Sequence, residues 1–233
     1  MPDHEQIYRQ QADMYDRMIA REDCEGNLEQ ILRELLPAAR HTLDALDMGA
    51  GTGKLACLLA PHVRSLALSD ASQAMLDVAA GKLRAQGCAN AAAVVCDHRS
   101  LPFPNDAFDV VTAGWTICYL ANTNEADWRR HLRSIMDEIE RVIRPGGTVI
   151  LFENNGTGSE TPDQPDFLTG YCQALQDEYG FRCRSIRTDF RFESPEEAEQ
   201  LTRFFFGDGL ADRVREDRLQ LVPGCTAVLW RTF

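Results

Sequence analysis

The stretch Leu46-Asp47-Met48-Gly49-Ala50-Gly51-Thr52-Gly53-Lys54-Leu55 constrains the fold more than any other part of the chain. An apolar run with strand character, Thr42 to Met48, feeds a turn with glycine at every second position. An apolar helix pattern, Lys54 to Ala60, follows at once. Strand, glycine turn and helix in that order open a βαβ unit, the building block of a parallel sheet covered by helices. Glycine there lets a ligand approach the backbone closely, and the helix N-terminus beyond favours anionic groups. Spacing separates the nucleotide sites that use such turns. A dinucleotide site needs GxGxxG, but Lys54 stands at the third-glycine position. A P-loop needs GxxxxGK followed by Ser or Thr, but Met48 replaces its first glycine and Leu55 follows the lysine. What is left is GxGxG preceded by Asp47, or a turn whose glycines serve packing alone.

The alternation continues. Strand patterns at Ser65 to Ser69, Ala91 to Cys96 and Phe108 to Ala113 are separated by a helix pattern at Ser72 to Ala85 and by turn residues Pro104, Asn105 and Asp106. A long helix is expected over Glu125 to Ile143. Pro145-Gly146-Gly147 stops it before a fifth strand, Thr148 to Phe152. Beyond that, Asn154 to Pro165 reads as a mobile loop beside a site, and a helix is expected from Asp166 to Glu178. Arg182 to Phe192 is extended. Ser194-Pro195-Glu196-Glu197 caps a helix running to Phe206, and Thr226 to Arg231 forms the last strand. Two helical stretches, Gln6 to Arg21 and Gly26 to Leu36, precede the first strand. With no repeat and no long linker, 1–233 is expected to be a single domain: a helical cap at 1–41, a ligand-binding core at 42–153, and acceptor-side loop, helices and strands at 154–233.

A net charge of -12 disfavours nucleic acid as a partner. The Arg182, Arg184, Arg187 and Arg191 group mixes both strand faces and reads as a solvated edge. No apolar run is long enough for a membrane span and the first residues are polar, so a cytoplasmic protein is expected. None of the eight cysteines forms a CxxC pair, so no metal site is signalled and most read as small buried hydrophobes.

Two strand-end carboxylates add to the glycine turn. Asp70 ends the second strand about 20 residues on, the spacing at which a carboxylate meets ribose hydroxyls. Asp97 ends the third, with His98 beside it. Asp47-Met48-Gly49-Ala50-Gly51-Thr52-Gly53 resembles motif I of the class I S-adenosylmethionine (SAM)-dependent methyltransferases. Leu101-Pro102-Phe103-Pro104, Phe108-Asp109-Val110-Val111 and Glu140-Arg141-Val142-Ile143-Arg144-Pro145-Gly146-Gly147 resemble, in the same order, the small-molecule branch that includes the ubiquinone/menaquinone biosynthesis enzymes. Tyr8 to Tyr15-Asp16 is similar to the helix that lies over the cofactor in many relatives.

The resemblance implies an α/β, Rossmann-like, seven-stranded, mostly parallel sheet with its last strand antiparallel, helices on both faces and an N-terminal helical lid. It also implies SAM as cofactor, S-adenosylhomocysteine (SAH) as product, and a small-molecule acceptor; the leading expectation for this chain is methylation of nitrogen or oxygen. Gly49, Ala50 and Gly51 would pass under the methionine portion, with Asp47 and the backbone at Ala113 and Gly114 near its amino group. Asp70 with Ala71 would take the ribose, Met75 and His98 would flank the adenine, Asp97 would take its amino group, and Tyr15 would cover the cofactor. Relatives often carry a His pair where this chain has Cys118-Tyr119, so no acid-base role transfers there. His98, Glu153 and Tyr119 are the candidate catalytic groups, with Tyr15 and Trp115 as pocket walls. Phe204-Phe205-Phe206 reads as helix-packing surface and His131 as solvent-facing. Three rivals remain: an NAD-dependent dehydrogenase, opposed by Lys54; a non-catalytic SAM-binding protein; and a metalloid or thiol methyltransferase using Cys118 with Cys172 or Cys225. A monomer and a homodimer are both compatible with the sequence.

Overall fold

A computed structural model describes residues 4–38 and 40–233. In chain order its strands are β1 (Asp44–Met48), β2 (Ser65–Asp70), β3 (Ala91–Val95), β4 (Phe108–Gly114), β5 (Ile143–Thr157), β6 (Arg182–Arg187), β7 (Phe190–Arg191), β8 (Leu221–Val222) and β9 (Gly224–Thr232). Among the described residues seven of these hydrogen-bond in the order β3-β2-β1-β4-β5-β9-β6, while β7 and β8 pair with each other. The strands from β3 to β5 run parallel, and β9 is antiparallel to both of its neighbours. This is the expected seven-stranded Rossmann-like sheet. Its strand order reverses between β1 and β4, and a crevice opens beyond their carboxyl ends at such a point.

The helices are α1 (His4–Gln10), α2 (Ala12–Ile19), α3 (Asn27–Leu35), α4 (Lys54–Leu59), α5 (Gln73–Ala85), α6 (Cys118–Ala121), α7 (Trp128–Val142), α8 (Asp166–Asp177), α9 (Pro195–Phe206) and α10 (Asp208–Glu216). Alternate side chains of β1 enter opposite layers, as a strand buried on both faces requires. Leu46 and Met48 pack with α7 and α8 residues such as Ile135 and Leu175, while Ala45 packs with Leu28, Leu59 and Leu76 of α3, α4 and α5. At the amino ends, Arg144 bridges Asp44 (3.0 Å) and Asp109 (2.6 Å), tying β1 to β4 away from the crevice.

A third core lies outside the sheet. Between β6 and β9 the chain inserts β7, α9, α10 and β8, and their Phe190, Phe192, Leu201, Val214 and Val222 enclose Met18 of α2. The insertion and the N-terminal helices therefore share one apolar centre.

Four features differ from the sequence reading, the first being that β5 runs on to Thr157 by pairing with β9, into the loop expected from Asn154. The first helical stretch is broken at Gln11, between α1 and α2. α10 was not expected at all. The turn Pro145-Gly146-Gly147 does not stop α7, which ends at Val142; it lies inside β5, where pairing shifts between Phe108–Ile143 and Val110–Thr148. The reason is local pairing: Gly146 N–H donates to the Phe233 carbonyl (2.6 Å) and Phe233 N–H to the Gly147 carbonyl (2.9 Å), so the segment is held as strand. Among the described residues no helix is long and apolar enough to cross a membrane.

Candidate active site

The glycine turn closes over the carboxyl end of β1 with Gly49, Gly51 and Gly53 all at positive φ (68°, 54° and 84°). Two of these glycines are also held by space. A Cβ at Gly49 would lie 2.1 Å from Thr116 Oγ1, and one at Gly53 would lie 2.9 Å from the Ala79 Cβ. Asp70, at the end of β2, ties the turn to the next helix: Oδ2 accepts from Gly51 N–H (2.9 Å) and Oδ1 from Ser72 N–H (2.8 Å). A carboxylate has about four acceptor sites, so two remain on this group.

Asp47 is 1% exposed. Its Oδ1 accepts from the Thr112 hydroxyl (2.7 Å), while Oδ2 has no hydrogen-bond partner. Burial pushes this carboxyl up to about 7, against the opposing hydrogen bonds of Thr112 and the Ala56 backbone. Asp47 and Ala50 line a small recess of about 30 Å³ beside Lys54 and Tyr15. That recess adjoins a cavity of about 410 Å³ which gathers Tyr15, Gly49, Gly51, Asp70, Ala71, Met75, Asp97, His98 and Gly114. Eleven positions proposed from sequence for one ligand thus border two adjoining spaces, whereas Ala113 is buried in the sheet core.

Asp97 is less free than its position suggested. Arg99 grips it through Nη2 to Oδ2 (2.6 Å) and Nε to Oδ1 (2.9 Å), and holds its carboxyl down at about 2. His98 is buried, its Nε2 is 2.9 Å from Thr116 Oγ1, and its Nδ1 has no partner. Burial lowers the imidazole pKa, so the neutral ring is favoured.

A larger cavity, about 590 Å³, lies beyond Tyr8, Tyr15, Trp115 and Tyr119, which border both spaces. The partition is aromatic and held by hydroxyls. Tyr8 meets Tyr15 edge-on with ring centres 5.2 Å apart, and the Tyr8 and Tyr119 hydroxyls are hydrogen-bonded. His4 stacks on Phe205 (4.4 Å) and contacts the Tyr119 hydroxyl through Nδ1 (3.3 Å). Burial pushes the Tyr8 phenol up, so it is a protonated donor rather than a base at neutral pH, while Tyr119 is 43% exposed. Trp115 adopts φ 51°, an unusual conformation for a bulky residue, with its N–H on the Phe152 carbonyl (2.7 Å).

Glu153 forms part of the larger cavity's wall. It is 1% exposed; Tyr171 donates to its Oε1 (3.0 Å), while Oε2 has no hydrogen-bond partner. Burial pushes this carboxyl up to about 7, with Cys118 and Tyr171 opposing the shift. Of the three candidate catalytic groups, His98 borders the smaller cavity, Glu153 the larger, and Tyr119 both. Sequence reading missed His4, Thr116 and Tyr171 altogether. It favoured helix packing over a substrate box for Phe205 and Phe206; they pack against the third core and border the larger cavity as well.

Residues 46–151 match a family described as "Methyltransferase domain". The ubiquinone/menaquinone biosynthesis C-methyltransferase of Idiomarina loihiensis is 33% identical over 129 residues, 54% of this chain and 48% of that protein. The demethylmenaquinone methyltransferase of Clavibacter sepedonicus is 33% identical over 139 residues, 60% of this chain and 49% of that protein. The chain spans about half the length of these curated relatives. Among solved structures, the phosphoethanolamine N-methyltransferase 2 of Haemonchus contortus, in complex with SAM, superposes with a TM-score of 0.63 at 18% identity. The match covers 98% of this chain and 59% of that one.

Proposed function

We infer, because this chain is a member of the class I SAM-dependent methyltransferases, that it methylates a nitrogen or oxygen of a small molecule held in the larger cavity. The observation that carries this reading is the junction: two cavities of unlike character meet across Tyr8, Tyr15, Trp115 and Tyr119.

The smaller cavity and its recess fit SAM by their chemistry. The unpartnered Asp47 Oδ2 suits an ammonium, since an ionised donor makes the stronger kind of hydrogen bond with a buried carboxylate. Gly49 and Gly51 let the methionine portion lie against the backbone. Asp70 keeps acceptor sites for two ribose hydroxyls after serving Gly51 and Ser72. Ala71, Met75 and the neutral His98 border the space for the base, and Asp97 is the acceptor nearest in kind for its amino group. When bound, SAM supplies an electrophilic methyl on a sulfonium whose leaving group is a neutral thioether.

The chain's part is then positioning and exclusion of water. Fixing a near-attack geometry is worth several kcal/mol. The four aromatics form the boundary at which acceptor and donor would meet, and Tyr8 and Tyr119 hold each other in place. Glu153, with a carboxyl pushed up to about 7, has the basicity to accept a proton near neutral pH.

A metalloid acceptor gains no support. Among the described residues no three His, Cys, Asp or Glu side chains converge as a metal-holding group, and burial pushes the Cys118 and Cys172 thiols up.

Titration calorimetry with SAH and with NAD tests the cofactor, and release of SAH over an acceptor panel tests turnover. Micromolar SAH binding with no NAD binding is expected. NAD binding without SAH would overturn the reading, and SAH binding without turnover on any acceptor would favour a non-catalytic SAM-binding protein.

A further inference from the structure

We propose that the acceptor is an amine on an apolar, ring-sized body, seated with its nitrogen at Glu153. This rests on the methyltransferase reading and narrows it to a substrate class.

The first support is the state of Glu153. It lies toward the carboxyl end of β5, paired across the sheet with Ala227 of β9, so the backbone fixes where its side chain starts. It is 1% exposed, and Tyr171 satisfies Oε1 at 3.0 Å. Oε2 is buried and makes no hydrogen bond of good geometry, although the Cys118 thiol and backbone lie beside the carboxylate and favour its charged form, and the residue forms cavity wall. Leaving a carboxylate oxygen unpaired in such a place costs free energy, which a donor arriving with the substrate removes. An ammonium is the donor that gains most, because both partners are charged.

The second support is the sign of the charge around it. Glu22, Glu125 and Glu153 border the cavity, and among the described residues no Lys or Arg does. Of the cations beside cavity residues in the chain, Arg21 is paired with Glu193 and Glu197 and Arg187 with Glu160 and Asp189, and Lys54 behind the glycine turn is used as well. Its Nζ donates to the Ile19 and Glu22 carbonyls (2.9 and 3.0 Å) and lies 3.3 Å from Glu22 Oε2. A phosphorylated or carboxylated acceptor would therefore meet three acidic groups with no Lys or Arg and only the His4 imidazole to oppose them, which disfavours it. The third support is the wall: Tyr8, Tyr15, Trp115, Tyr119 and Phe205 offer ring faces and edges to an apolar body and to a cation.

The proton and electron balance is complete. An ammonium gives one proton to Glu153 Oε2 and becomes a neutral amine. Its lone pair forms the new N–C bond as the methyl C–S bond breaks, and that bond's electron pair returns to sulfur as the sulfonium becomes a thioether. The product leaves as a methylated ammonium, and Glu153 returns its proton to solvent. Burial, by pushing the Glu153 carboxyl up to about 7, places it where that exchange is reversible near neutral pH.

The test is binding to the SAH-saturated full chain, read by calorimetry, of three indole probes with short side chains: tryptamine, tryptophol and indole-3-acetate. Tryptamine is expected to bind about 10-fold tighter than tryptophol and about 100-fold tighter than indole-3-acetate. Glu153→Gln should abolish the preference over tryptophol while SAH affinity stays within about 2-fold. If that variant does not fold, the ranking in the unaltered chain decides alone. Equal or tighter binding of tryptophol or indole-3-acetate overturns the proposal. So does a preference that survives in a folded Glu153→Gln, or binding of none of the three to the SAH-loaded protein. Failure to bind SAH at all would overturn the methyltransferase reading, and this proposal with it.

Discussion

The two cavities are built by opposite strategies. The smaller is a backbone construction: three positive-φ glycines, a carboxylate bonded to two main-chain N–H groups, and strand ends set by a parallel sheet. Its parts lie close together in the chain. The larger is a side-chain construction of rings brought from far apart, such as His4 on Phe205, 201 positions away. Backbone sites tolerate little change because a Cα position cannot be repacked. Side-chain sites can be remodelled residue by residue, which suits one donor shared across a family and acceptors that differ. Substitutions should therefore do most damage in the first region and act selectively in the second.

Gly49→Ala carries the largest expected effect. The new Cβ would fall 2.1 Å from Thr116 Oγ1 and 2.5 Å from Thr116 Cβ, at a φ of 68° that L side chains rarely adopt. Overpacking plus left-handed strain should cost about 3 kcal/mol or more in denaturant unfolding, and SAH binding should be lost. A variant with unchanged stability and affinity would mean that the turn is far more plastic than its geometry implies.

Asp47→Asn comes next. Losing the charged partner of an ammonium should weaken SAM binding about 100-fold, or about 2.7 kcal/mol. Without ligand the same change should stabilise the fold at neutral pH. The sign follows from linkage. A carboxyl raised from 3.8 to about 7 in the folded chain binds its proton more tightly than in the unfolded chain. Its stabilising share is complete below about 4 and is lost as pH rises through 7. Relative to Asp47→Asn, the unaltered apo chain should lose melting temperature across that window. Parallel pH curves would show that Asp47 is not buried in this way.

Lys54→Met tests the seam between the two regions, because Lys54 opens α4 beside the glycine turn yet holds the carbonyl of Ile19, which ends α2, and that of Glu22 in the turn after it. Its removal leaves Glu22 buried without its cation. The ion pair is nearly dry, 18% and 7% exposed, so about 1–2 kcal/mol of stability should be lost. Adding Glu22→Gln should recover much of it. No recovery would mean that the carbonyl contacts, not the ion pair, carry the effect.

The same contrast explains how much was legible in the sequence. β1, β2 and the Gly49–Gly53 turn follow from period, glycine spacing and strand-end carboxylates, all short-range signals. Asp70 was placed by its distance along the chain from the turn, and the structure puts it against Gly51. The insertion was not legible: α10 begins just after Gly207 (φ 87°), and its apolar face becomes meaningful only once α2 supplies Met18. Pro145-Gly146-Gly147 has the composition of a helix stop, but pairing with the chain's last residue makes it strand. Asp97 was legible as a position, while the grip of Arg99 was not, since Asp and Arg two apart pair only in some backbone shapes. Glu153 was read as the end of the fifth strand, whereas β5 continues past it to Thr157. Its unpartnered oxygen and Tyr171 partner could be found only in three dimensions.

Tyr119→Phe should have the smallest effect, and it separates wall from chemistry. Its hydroxyl bonds that of Tyr8 and lies 3.3 Å from His4 Nδ1, so removal loosens the lid's inner edge without opening a gap. One neutral hydrogen bond is worth about 0.5–1.5 kcal/mol. KM for the acceptor should rise about 2- to 5-fold, with kcat nearly unchanged and SAM affinity within about 2-fold. That split is what loss of uniform binding produces. If kcat instead falls about 1000-fold at constant KM, the phenol works in the transition state. The division between a rigid donor site and an adaptable acceptor wall would then fail at the residue that borders both.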